Sequence, residues 1–213
     1  YLSDLIRNLI AKNSLPDSSI LGIGITLPGI INHELDSLEH AATLGVRDFD
    51  LSTLRKYFNF QLFFENEANA AGFSEIWTQP DLDSACYISI NEGVGGALIR
   101  DRRIVYGSNY HEGEYGHMIL KPGGKKCNCG KNGCFETYCS ISVLSIHSHG
   151  NLKQFFIDLR NDDNLKKVWN TYIDNLAIGI SNIQIALDLP VVLGGELVAY
   201  LDNDFSLLCE KVN

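Results

Sequence analysis

The sequence predicts an α/β layered fold, and three observations lead to that prediction. Extended apolar runs alternate with helical patterns along most of the 213 residues. The chain is 45% hydrophobic, which provides enough apolar surface for a sizeable core in one or two domains. No internal repeat or low-complexity segment interrupts the alternation. In folds of this kind, functional sites gather in the turns at strand ends.

The first third of the chain alternates helix, strand and helix. Apolar residues fall on one helical face in YLSDLIRNLIAK, residues 1–12, and that helix ends before Pro16. An extended run, ILGIGITLPG, follows at residues 20–29. The strand-like FQLFFE, residues 60–65, leads directly into an alanine-rich helix that begins near Asn66.

The rest of the chain predicts a hairpin, a long helix and a final strand. SACYISI and GALIR are typical of two strands, and NEGVG between them is typical of a hairpin turn. Helical spacing of apolar residues then extends from Asn164 to Leu189, where Pro190 ends the helix. PVVLGG predicts a buried strand that ends in a glycine turn, with a new helix after Glu196.

The charge balance excludes some partners for this part of the chain. Lys and Arg total 17 against 26 Asp and Glu, a formal net charge of −9. A chain this acidic has no general affinity for phosphate backbones or anionic lipids, so any contact with DNA is expected from another segment. No apolar run approaches the roughly 20 residues that span a bilayer, and no signal peptide is evident. We therefore expect a cytoplasmic protein with no membrane partner.

One histidine and three cysteines lie close together between residues 117 and 134. In a cytosolic chain, clustered thiols beside a histidine favour a metal site over a disulfide framework. A closed set of four such ligands is typical of structural Zn²⁺, and the two glycines of NCGKNG let a short loop fold back on the ion. The predicted ligands are His117, Cys127, Cys129 and Cys134. The alternative is that the cysteines are ordinary free thiols with His117 packed elsewhere. The remaining cysteines, predicted to be small core residues, are Cys86, Cys139 and Cys209.

The residues around this cluster resemble the signature of the ROK family, named for repressors, open reading frames and sugar kinases. E-x-G-H at residues 114–117 is followed by C-x-C-G-x-x-G-C-x-E at residues 127–136. Five further stretches resemble the family in the expected order: GIGITLPGIIN, LGVRDFDL, FFENEANAAGFSE, NEGVGGALI and VVLGG. Within the family, ENEANA is most similar to the xylose-repressor-like branch. The resemblance covers nearly the whole chain.

The resemblance implies an actin-like, ribonuclease H-like fold with two α/β lobes and a cleft between them. Residues 1–83 would form part of the first lobe with its sugar-pocket loops, and residues 84–213 the second lobe with the zinc loop. Family members begin with a D-x-G-G-T type phosphate motif, which this chain lacks, and they continue with more helix beyond VLGG. We therefore expect both lobes to be incomplete, with the second truncated at its C-terminus.

The resemblance also implies a monosaccharide site made of polar side chains. Carboxylates, an amide and an imidazole match the donor and acceptor hydroxyls of a sugar. Zinc would act as a clamp, because one nitrogen of His117 binds the ion while the other donates to a sugar hydroxyl. The alternative for Glu114 and Glu136 taken alone is a solvated surface charge. The implied sugar contacts are Asn66, Glu67, Glu114, His117 and Glu136, with Gly29 in a loop that lines the pocket.

Two positions depart from the pattern of the ROK kinases. Glu67 stands where the kinases have a catalytic aspartate, and its extra methylene displaces the carboxylate without removing the base. Glu92 replaces the threonine of the G-T-G-x-G-G loop that holds ATP phosphates, and a carboxylate there repels the triphosphate. The alternative is an ordinary hairpin turn that uses glycine for positive φ. If ATP and Mg²⁺ were bound, the resemblance assigns the contacts to Gly93, Gly95, Gly96, Gly194 and Gly195.

We therefore expect the sugar-sensing effector module of a ROK-type transcriptional repressor. Its ligand would be a monosaccharide, its structural ion Zn²⁺, and its DNA contacts would lie in a missing N-terminal winged helix-turn-helix domain. The resemblance implies a homodimer or homotetramer. One alternative is an ATP-dependent sugar kinase, such as a gluco- or fructokinase, in which Glu67 is the catalytic base. A third possibility is a catalytically inactive sugar-binding protein without DNA contact.

Overall fold

The computed structural model describes residues 1–212 of the chain. The chain divides into two compact units, Tyr1–Ala70 and Ala71–Asn213. Each unit has its own buried core, which contains Leu38 in the first unit and Tyr172 in the second. No helix in the described part of the chain combines the length and the apolar character needed to cross a membrane.

The boundary between the two units lies inside a helix, Glu67–Thr78. The predicted division into two lobes after residue 83 stays a prediction, and the boundary between the compact units lies earlier. The earlier position follows from packing, because Ile76 in the later part of this helix shares a buried cluster with Tyr87 and Ile99 of the second unit. The later part of this helix therefore packs with strands of the second unit, which spacing along the sequence does not reveal.

The first unit contains two small β-sheets. Two strands, Ile23–Leu27 (β1) and Leu62–Asn66 (β5), form a parallel pair. Three strands between them form an antiparallel sheet in chain order. The predicted helix at residues 1–12 and the strand predictions at residues 20–29 and 60–65 are confirmed. In chain order, the elements are α1 (Leu2–Lys12), β1, β2 (Ile30–Asn32), β3 (Ser37–Ala41), β4 (Val46–Asp50), α2 (Ser52–Arg55), β5 and α3 (Glu67–Thr78).

The second unit is built on a four-stranded sheet with helices packed against it. Its elements are β6 (Ala85–Ile90), β7 (Val94–Arg100), β8 (Arg103–Val105), α4 (Glu136–Cys139), α5 (Ser142–Ser145), α6 (Leu152–Asp158), α7 (Asp163–Leu187), β9 (Val191–Gly194) and α8 (Phe205–Val212). The strand order is β8–β7–β6–β9, with only β6 and β9 parallel. Every residue of β6 is buried, as expected for a central strand covered on both faces. The predicted hairpin and the predicted final strand are confirmed.

Helix α7 supplies much of the core of the second unit. Asp162 caps its N-terminus, because the carboxylate accepts the backbone N–H of Asn164 at 2.7 Å. The helix ends where Asp188 adopts a left-handed conformation with φ of 52°. In its middle, the Tyr172 hydroxyl donates to the backbone carbonyl of Cys139 at 2.5 Å. This bond ties α7 to α4, which begins directly after the predicted zinc ligands.

The structure corrects two predictions near the C-terminal end of the chain. The helix expected after Glu196 is a short 3₁₀ segment, Glu196–Tyr200, and the next α-helix begins at Phe205. Cys209 was predicted to lie in the core and is exposed, because Leu208 is the buried residue of α8. The two other cysteines predicted to be core residues, Cys86 and Cys139, are fully buried.

Candidate functional site

The predicted zinc ligands converge in the second unit. The donor atoms of His117, Cys127, Cys129 and Cys134 all lie within 4.8 Å of one another. Cys127 Sγ is 3.6 Å from His117 Nδ1, and Cys129 Sγ is 3.6 Å from Cys134 Sγ. A tetrahedral ion with bonds of about 2.3 Å to sulfur separates neighbouring ligand atoms by roughly 3.8 Å. The four groups therefore fit Zn²⁺, and the alternative that packed His117 away from the cysteines is wrong.

Tight backbone hydrogen bonds fold the cysteine loop, residues 127–134. The N–H of Cys127 donates to the carbonyl of Lys131 at 2.9 Å, and the N–H of Gly130 donates back to the carbonyl of Cys127 at 3.0 Å. Gly133 has φ of +82°, and a Cβ there would overlap the backbone carbonyl of Lys121. Only glycine meets both conditions without strain. The prediction that the loop folds back on its glycines is confirmed.

Tyr138 anchors the cysteine loop to the core of the second unit. Its ring is buried, and its hydroxyl accepts the backbone N–H of Lys125 at 2.9 Å. The ammonium groups of Lys121 and Lys125 lie 4.7 and 5.1 Å from the ring centroid. Contacts of this kind stabilise by about 0.5–1 kcal/mol each at exposed sites. These contacts hold the segment that precedes the loop, and the loop is bonded to that segment because the N–H of Gly133 donates to the carbonyl of Lys125 at 2.7 Å. None of these contacts depends on an ion.

Burial controls the protonation of the loop thiols. Desolvation raises the pKa of Cys127, and it raises the pKa of Cys134 to about 12. Burial also acts to raise the pKa of Cys129, but hydrogen bonds from the backbone of Lys131 and from the other thiols outweigh it, so that pKa is lowered. Zn²⁺ binds thiolates, so binding at neutral pH releases protons from the two raised thiols.

The second nitrogen of His117 faces a carboxylate. A 3₁₀ turn, Tyr115–His117, directs Nδ1 toward the cysteines and leaves Nε2 3.6 Å from Glu114 Oε2. That separation is too long for a direct hydrogen bond. Both side chains are partly exposed, at 31% for His117 and 39% for Glu114. A hydroxyl placed between them could accept from the histidine and donate to the glutamate.

Tyr115 fixes this 3₁₀ turn against strand β7. Its ring is buried, and its hydroxyl donates to Glu112 Oε1 at 3.1 Å. Burial and the nearby charge of Glu112 raise the pKa of Tyr115 far above its ordinary value, so it remains a donor. A Cβ on Gly96 would overlap the Tyr115 ring, and a Cβ on Gly116 would overlap the carbonyl of Val94. The E-x-G-H turn therefore packs directly on the start of β7.

Glu136 connects the cysteine loop to the same strand. Its Oε2 accepts the backbone N–H of Val94 at 3.1 Å, and its Oε1 lies 3.9 Å from Cys127 Sγ. A Cβ on Gly93 would lie 2.9 Å from Oε2, so the carboxylate occupies the space that a side chain would need. The alternative of a solvated surface charge is therefore wrong for Glu136.

The turn between β6 and β7 is a hairpin, as predicted, but its glycines do not serve the predicted purpose. The backbone N–H of Asn91 donates to the carbonyl of Gly93 at 2.9 Å and closes the turn. Gly93 in the turn and Gly95 and Gly96 at the start of β7 all lie within the described residues, and none of them has a positive φ. The reason for two of these glycines is the close approach of Glu136 and Tyr115 described above.

Asn91 joins this turn to the turn that follows β9. Its Nδ2 donates to Ser89 Oγ at 3.0 Å, and its Oδ1 accepts the backbone N–H of Glu196 at 2.8 Å. Its own carbonyl accepts the backbone N–H of Ile141 at 2.9 Å. Asn91 therefore bonds to two segments that are distant in sequence, at Ile141 and Glu196, and nothing in the sequence singled it out.

The glycines at the end of β9, Gly194 in the strand and Gly195 directly after it, are required by packing inside the second unit. A Cβ on Gly194 would overlap the hydroxyl of Tyr87. A Cβ on Gly195, which has φ of +87°, would lie 2.5 Å from the carbonyl of Ile90. The geometry of the sheet thus accounts for both glycines without a nucleotide.

The two glycine turns do not fit ATP. The backbone N–H groups of Val94 and Glu196 are bonded to the side chains of Glu136 and Asn91. Glu92, at the tip of the first turn, is exposed, and its carboxylate would repel a triphosphate. Phosphate sites in glycine turns depend on backbone donors that point freely at the anion. In these turns, one backbone donor of each is already bonded to a side chain of the protein, and the carboxylates of Glu92 and Glu136 add negative charge nearby.

In the first unit, Asn66 and Gly29 contact each other. Asn66 Nδ2 donates to the carbonyl of Gly29 at 2.9 Å. Asn66 Oδ1 accepts the backbone N–H groups of Ala68 at 2.8 Å and Asn69 at 3.1 Å, and so caps helix α3. A carboxamide has two N–H donors, so one remains for a ligand. Glu67 is the first residue of α3 and is exposed.

Glu65 supports Asn66 and was missed from the sequence. Its Oε1 accepts the backbone N–H of Asn66 at 2.8 Å and Nδ2 of Asn69 at 3.1 Å. Its Oε2 lies 3.5 Å from His33 Nε2. The signal was present, because a carboxylate that directly precedes a helix cap can bond to the first turn. The predicted sugar residues thus form two groups, one in each unit.

The sequence of the chain matches known proteins of one family. The model of the ROK family matches residues 1–203. A xylose repressor of Bacillus subtilis is 34% identical over 146 residues, which are 67% of this chain and 38% of the repressor. A glucokinase of Halalkalibacterium halodurans is 33% identical over 148 residues, 68% of this chain and 45% of the glucokinase. The chain spans less than half the length of these two relatives.

The structure matches the same family. The crystal structure of the ROK hexokinase from Thermus thermophilus superposes with a TM-score of 0.80 at 22% identity, over 99% of this chain and 74% of the hexokinase. At this identity the match shows the fold alone, and it confirms the predicted actin-like α/β class. The family model covers nearly all of the sequence, and the E-x-G-H turn and the cysteine loop lie within the matched residues. This chain belongs to the ROK family.

Proposed function

We propose that this chain is the sugar-sensing module of a ROK-type transcriptional repressor, and that it binds a monosaccharide without phosphorylating it. One observation carries the proposal. Nδ1 of His117 faces the cysteines, and Nε2 of the same ring lies 3.6 Å from Glu114 Oε2. A sugar hydroxyl both donates and accepts, so this pair of groups matches one hydroxyl.

The proposed role of Zn²⁺ is structural: the ion would orient His117 and would take no part in a reaction. When bound through Nδ1, the ion fixes the tautomer and the ring orientation of His117. Nε2 then carries the proton and donates to the sugar. Glu136, whose Oε1 lies 3.9 Å from Cys127 Sγ, is held by the same loop and offers acceptors to a second hydroxyl. Sugar affinity is therefore expected to depend on the metal.

The first unit offers a second set of sugar contacts under this proposal. The remaining N–H of Asn66, whose amide is held by Gly29 and by α3, is a fixed donor. The exposed carboxylate of Glu67 is an acceptor one residue further on. Polar groups held in this way reject molecules that lack the matching hydroxyl, which is what a sensor requires.

Two observations favour sensing over phosphoryl transfer. The donors of the glycine turns are bonded to Asn91 and Glu136, and Glu92 adds negative charge beside them. The xylose repressor of Bacillus subtilis is among the relatives of this chain. DNA contacts would come from a separate domain of the full-length protein, consistent with the net charge of −9. To move a regulator from 1:99 to 99:1 between two states, sugar must favour one state by about 5.5 kcal/mol.

A sugar kinase is the second candidate. The observation that favours it is the exposed carboxylate of Glu67 at the first turn of α3, which is free to reach a sugar hydroxyl as a general base. The match to the glucokinase of Halalkalibacterium halodurans supports the same reading. Under this candidate, the two glycine turns would have to open before nucleotide could bind.

The test uses full-length, zinc-loaded protein and a panel of pentoses and hexoses. Calorimetry measures sugar binding, gel shift measures operator binding, and ADP release measures turnover with MgATP. We expect saturable binding of one sugar, a sugar-dependent change in operator affinity, and no turnover. Glu114→Gln should weaken sugar binding by about tenfold or more, because one charged acceptor is lost. Glu34→Gln, at an exposed position away from these contacts, is the matched control.

Each outcome separates the candidates. Sugar-dependent ADP release at about 1–100 per second would establish the kinase and refute the sensor. Sugar binding without turnover and without any effect on operator affinity would leave an inactive sugar-binding protein. A full-length protein that binds no sugar in the panel would refute all three.

A further inference from the structure

We propose that Asn91 is a positioning residue that closes both glycine turns of the second unit to nucleoside triphosphates. The hydrogen bond from the backbone N–H of Glu196 to Asn91 Oδ1, called here the Asn91 latch, holds the turn after β9 against the turn between β6 and β7. This inference rests on the proposed function, which requires only that phosphoryl transfer is lost. It names the residue responsible.

The side chain of Asn91 is exposed, but both of its polar atoms are hydrogen-bonded to the protein. Nδ2 donates to Ser89 Oγ at 3.0 Å, which fixes the orientation of the amide and points Oδ1 at the Glu196 N–H, 2.8 Å away. The backbone of Asn91 is held as well, since its N–H bonds to Gly93 and its carbonyl to Ile141. A nucleotide that uses the Glu196 N–H must therefore first break the hydrogen bond to Asn91 Oδ1.

A second bond closes the first turn from the other side. Glu136 Oε2 accepts the backbone N–H of Val94 at 3.1 Å, and its carboxylate fills the space above Gly93. A phosphate oxygen and this carboxylate would compete for the same donor, and both are negative. Each of the two turns therefore has one of its own donors satisfied inside the protein.

The identity of residue 91 separates this chain from the kinase pattern. NEGVGG aligns with G-T-G-x-G-G, so Asn91 stands where the pattern has glycine and Glu92 where it has threonine. Glycine has no side chain and makes neither of the two bonds of the Asn91 amide. Restoring the threonine alone would remove a repulsive charge but would leave the latch in place.

The test measures binding of Mg²⁺ and a non-hydrolysable ATP analogue to full-length, zinc-loaded protein by calorimetry, without sugar. The variants are Glu92→Thr, Asn91→Gly and the double variant. Asn91→Ala is added because it removes the latch without giving the turn the backbone freedom of glycine. The matched control is Asn161→Gly with Glu34→Thr, at two exposed positions outside the two glycine turns. Hydrogen exchange at the Glu196 amide reports directly on the latch.

We expect the wild type and the control to show no saturable binding up to about 1 mM, the upper end of ordinary enzyme affinities for substrates. The double variant should bind at least about tenfold more tightly than Glu92→Thr alone, which is the effect of no longer breaking one hydrogen bond. The Glu196 amide should exchange faster in Asn91→Gly and Asn91→Ala than in the control.

Three results would overturn the inference. The first is nucleotide binding by the wild type below about 1 mM. The second is equal affinity of Glu92→Thr and the double variant, which would assign the whole effect to charge. The third is a double variant that shows faster exchange at Glu196 but gains no nucleotide. Failure of the sensor proposal is seen separately, because the wild type would then bind no sugar when it is titrated with sugar in the absence of nucleotide.

Discussion

The cysteine loop and the turn between β6 and β7 are both rich in glycine, yet they need it for different reasons. In the cysteine loop, Gly130 and Gly133 have φ of +89° and +82°, which L side chains rarely adopt. At the β6–β7 hairpin, Gly93 in the turn and Gly96 at the start of β7 have no positive φ, and neighbouring side chains fill the space where a Cβ would lie. The comparison teaches that one residue type can encode a local backbone conformation or a contact between distant segments.

The largest difference between the two regions is expected when the proposed zinc site is removed. Cys134→Ser should abolish stoichiometric zinc and reduce sugar affinity by about 100-fold, because the orientation of His117 is lost. The Tyr138 anchor should keep the unit folded, so the far-ultraviolet circular dichroism spectrum should be unchanged. The control is Cys209→Ser, at an exposed cysteine outside the cluster. Metal content and calorimetry check the result, and full sugar affinity in zinc-free protein would contradict the clamp.

Within the cysteine loop, the two glycines should differ in their sensitivity to substitution. A Cβ on Gly130 meets nothing within 4 Å, so Gly130→Ala should cost only the strain of its φ, about 1–2 kcal/mol. A Cβ on Gly133 also overlaps the carbonyl of Lys121, so Gly133→Ala should cost at least about 3 kcal/mol. Denaturant unfolding measures both free energies. Equal costs would mean that the loop relaxes around Gly133.

In the β6–β7 turn, substitution should act through Glu136. Gly93→Ala introduces a Cβ 2.9 Å from Glu136 Oε2 and should displace the carboxylate from Val94, at a cost of up to about 2 kcal/mol. The affinity for sugar should also fall, because the displaced Glu136 carboxylate is a proposed sugar contact. Gly24→Ala is the control, since a Cβ there meets nothing within 4 Å. An unchanged sugar affinity in Gly93→Ala would show that Glu136 does not contact sugar.

The effect that is smallest near neutral pH, and that grows only above pH 9, is expected in the strand that leads into the β6–β7 turn. Burial raises the pKa of Cys86 from 9.0 to about 12. Because the unfolded thiol ionises first, its contribution to stability is complete below pH 9 and is lost as the pH rises toward 12. The slope should reach about 1.4 kcal/mol per pH unit for this one proton.

Cys86→Ala should therefore flatten the fall in unfolding free energy between pH 9 and 12 relative to the wild type. Cys209→Ala, at an exposed thiol, should leave that fall unchanged. Urea unfolding at a series of alkaline pH values measures the difference. Identical slopes in the two variants would mean that Cys86 ionises in the folded state.

Features with a local cause could be predicted from the sequence. The proposed zinc ligands follow from ligand chemistry and loop length, and the four side chains converge as predicted. Helix α7 follows from apolar spacing and from Pro190, and the strand at VVLGG from its apolar run between turn residues. In each case the residues that determine the feature lie within the feature itself.

Features with a distant cause could not be predicted. Asn91 and Glu196 are 105 positions apart, and neither is unusual in its own segment. The purpose of Gly93 depends on Glu136, and the boundary inside α3 depends on Ile76 meeting strand residues of the second unit. The role of a polar side chain in a turn is decided by the neighbour that the fold brings to it.

The close packing of Gly96 and Gly116 on the E-x-G-H turn limits how this protein can be re-engineered. Tyr115 occupies the space over Gly96, and Gly116 lies against the carbonyl of Val94, so each segment is shaped to the other. A chimera that takes residues 91–96 from a kinase would place a foreign surface under the native residues 113–117. Domain-swap experiments should therefore exchange both segments as one block, and inherited change at one is expected to require compensation at the other.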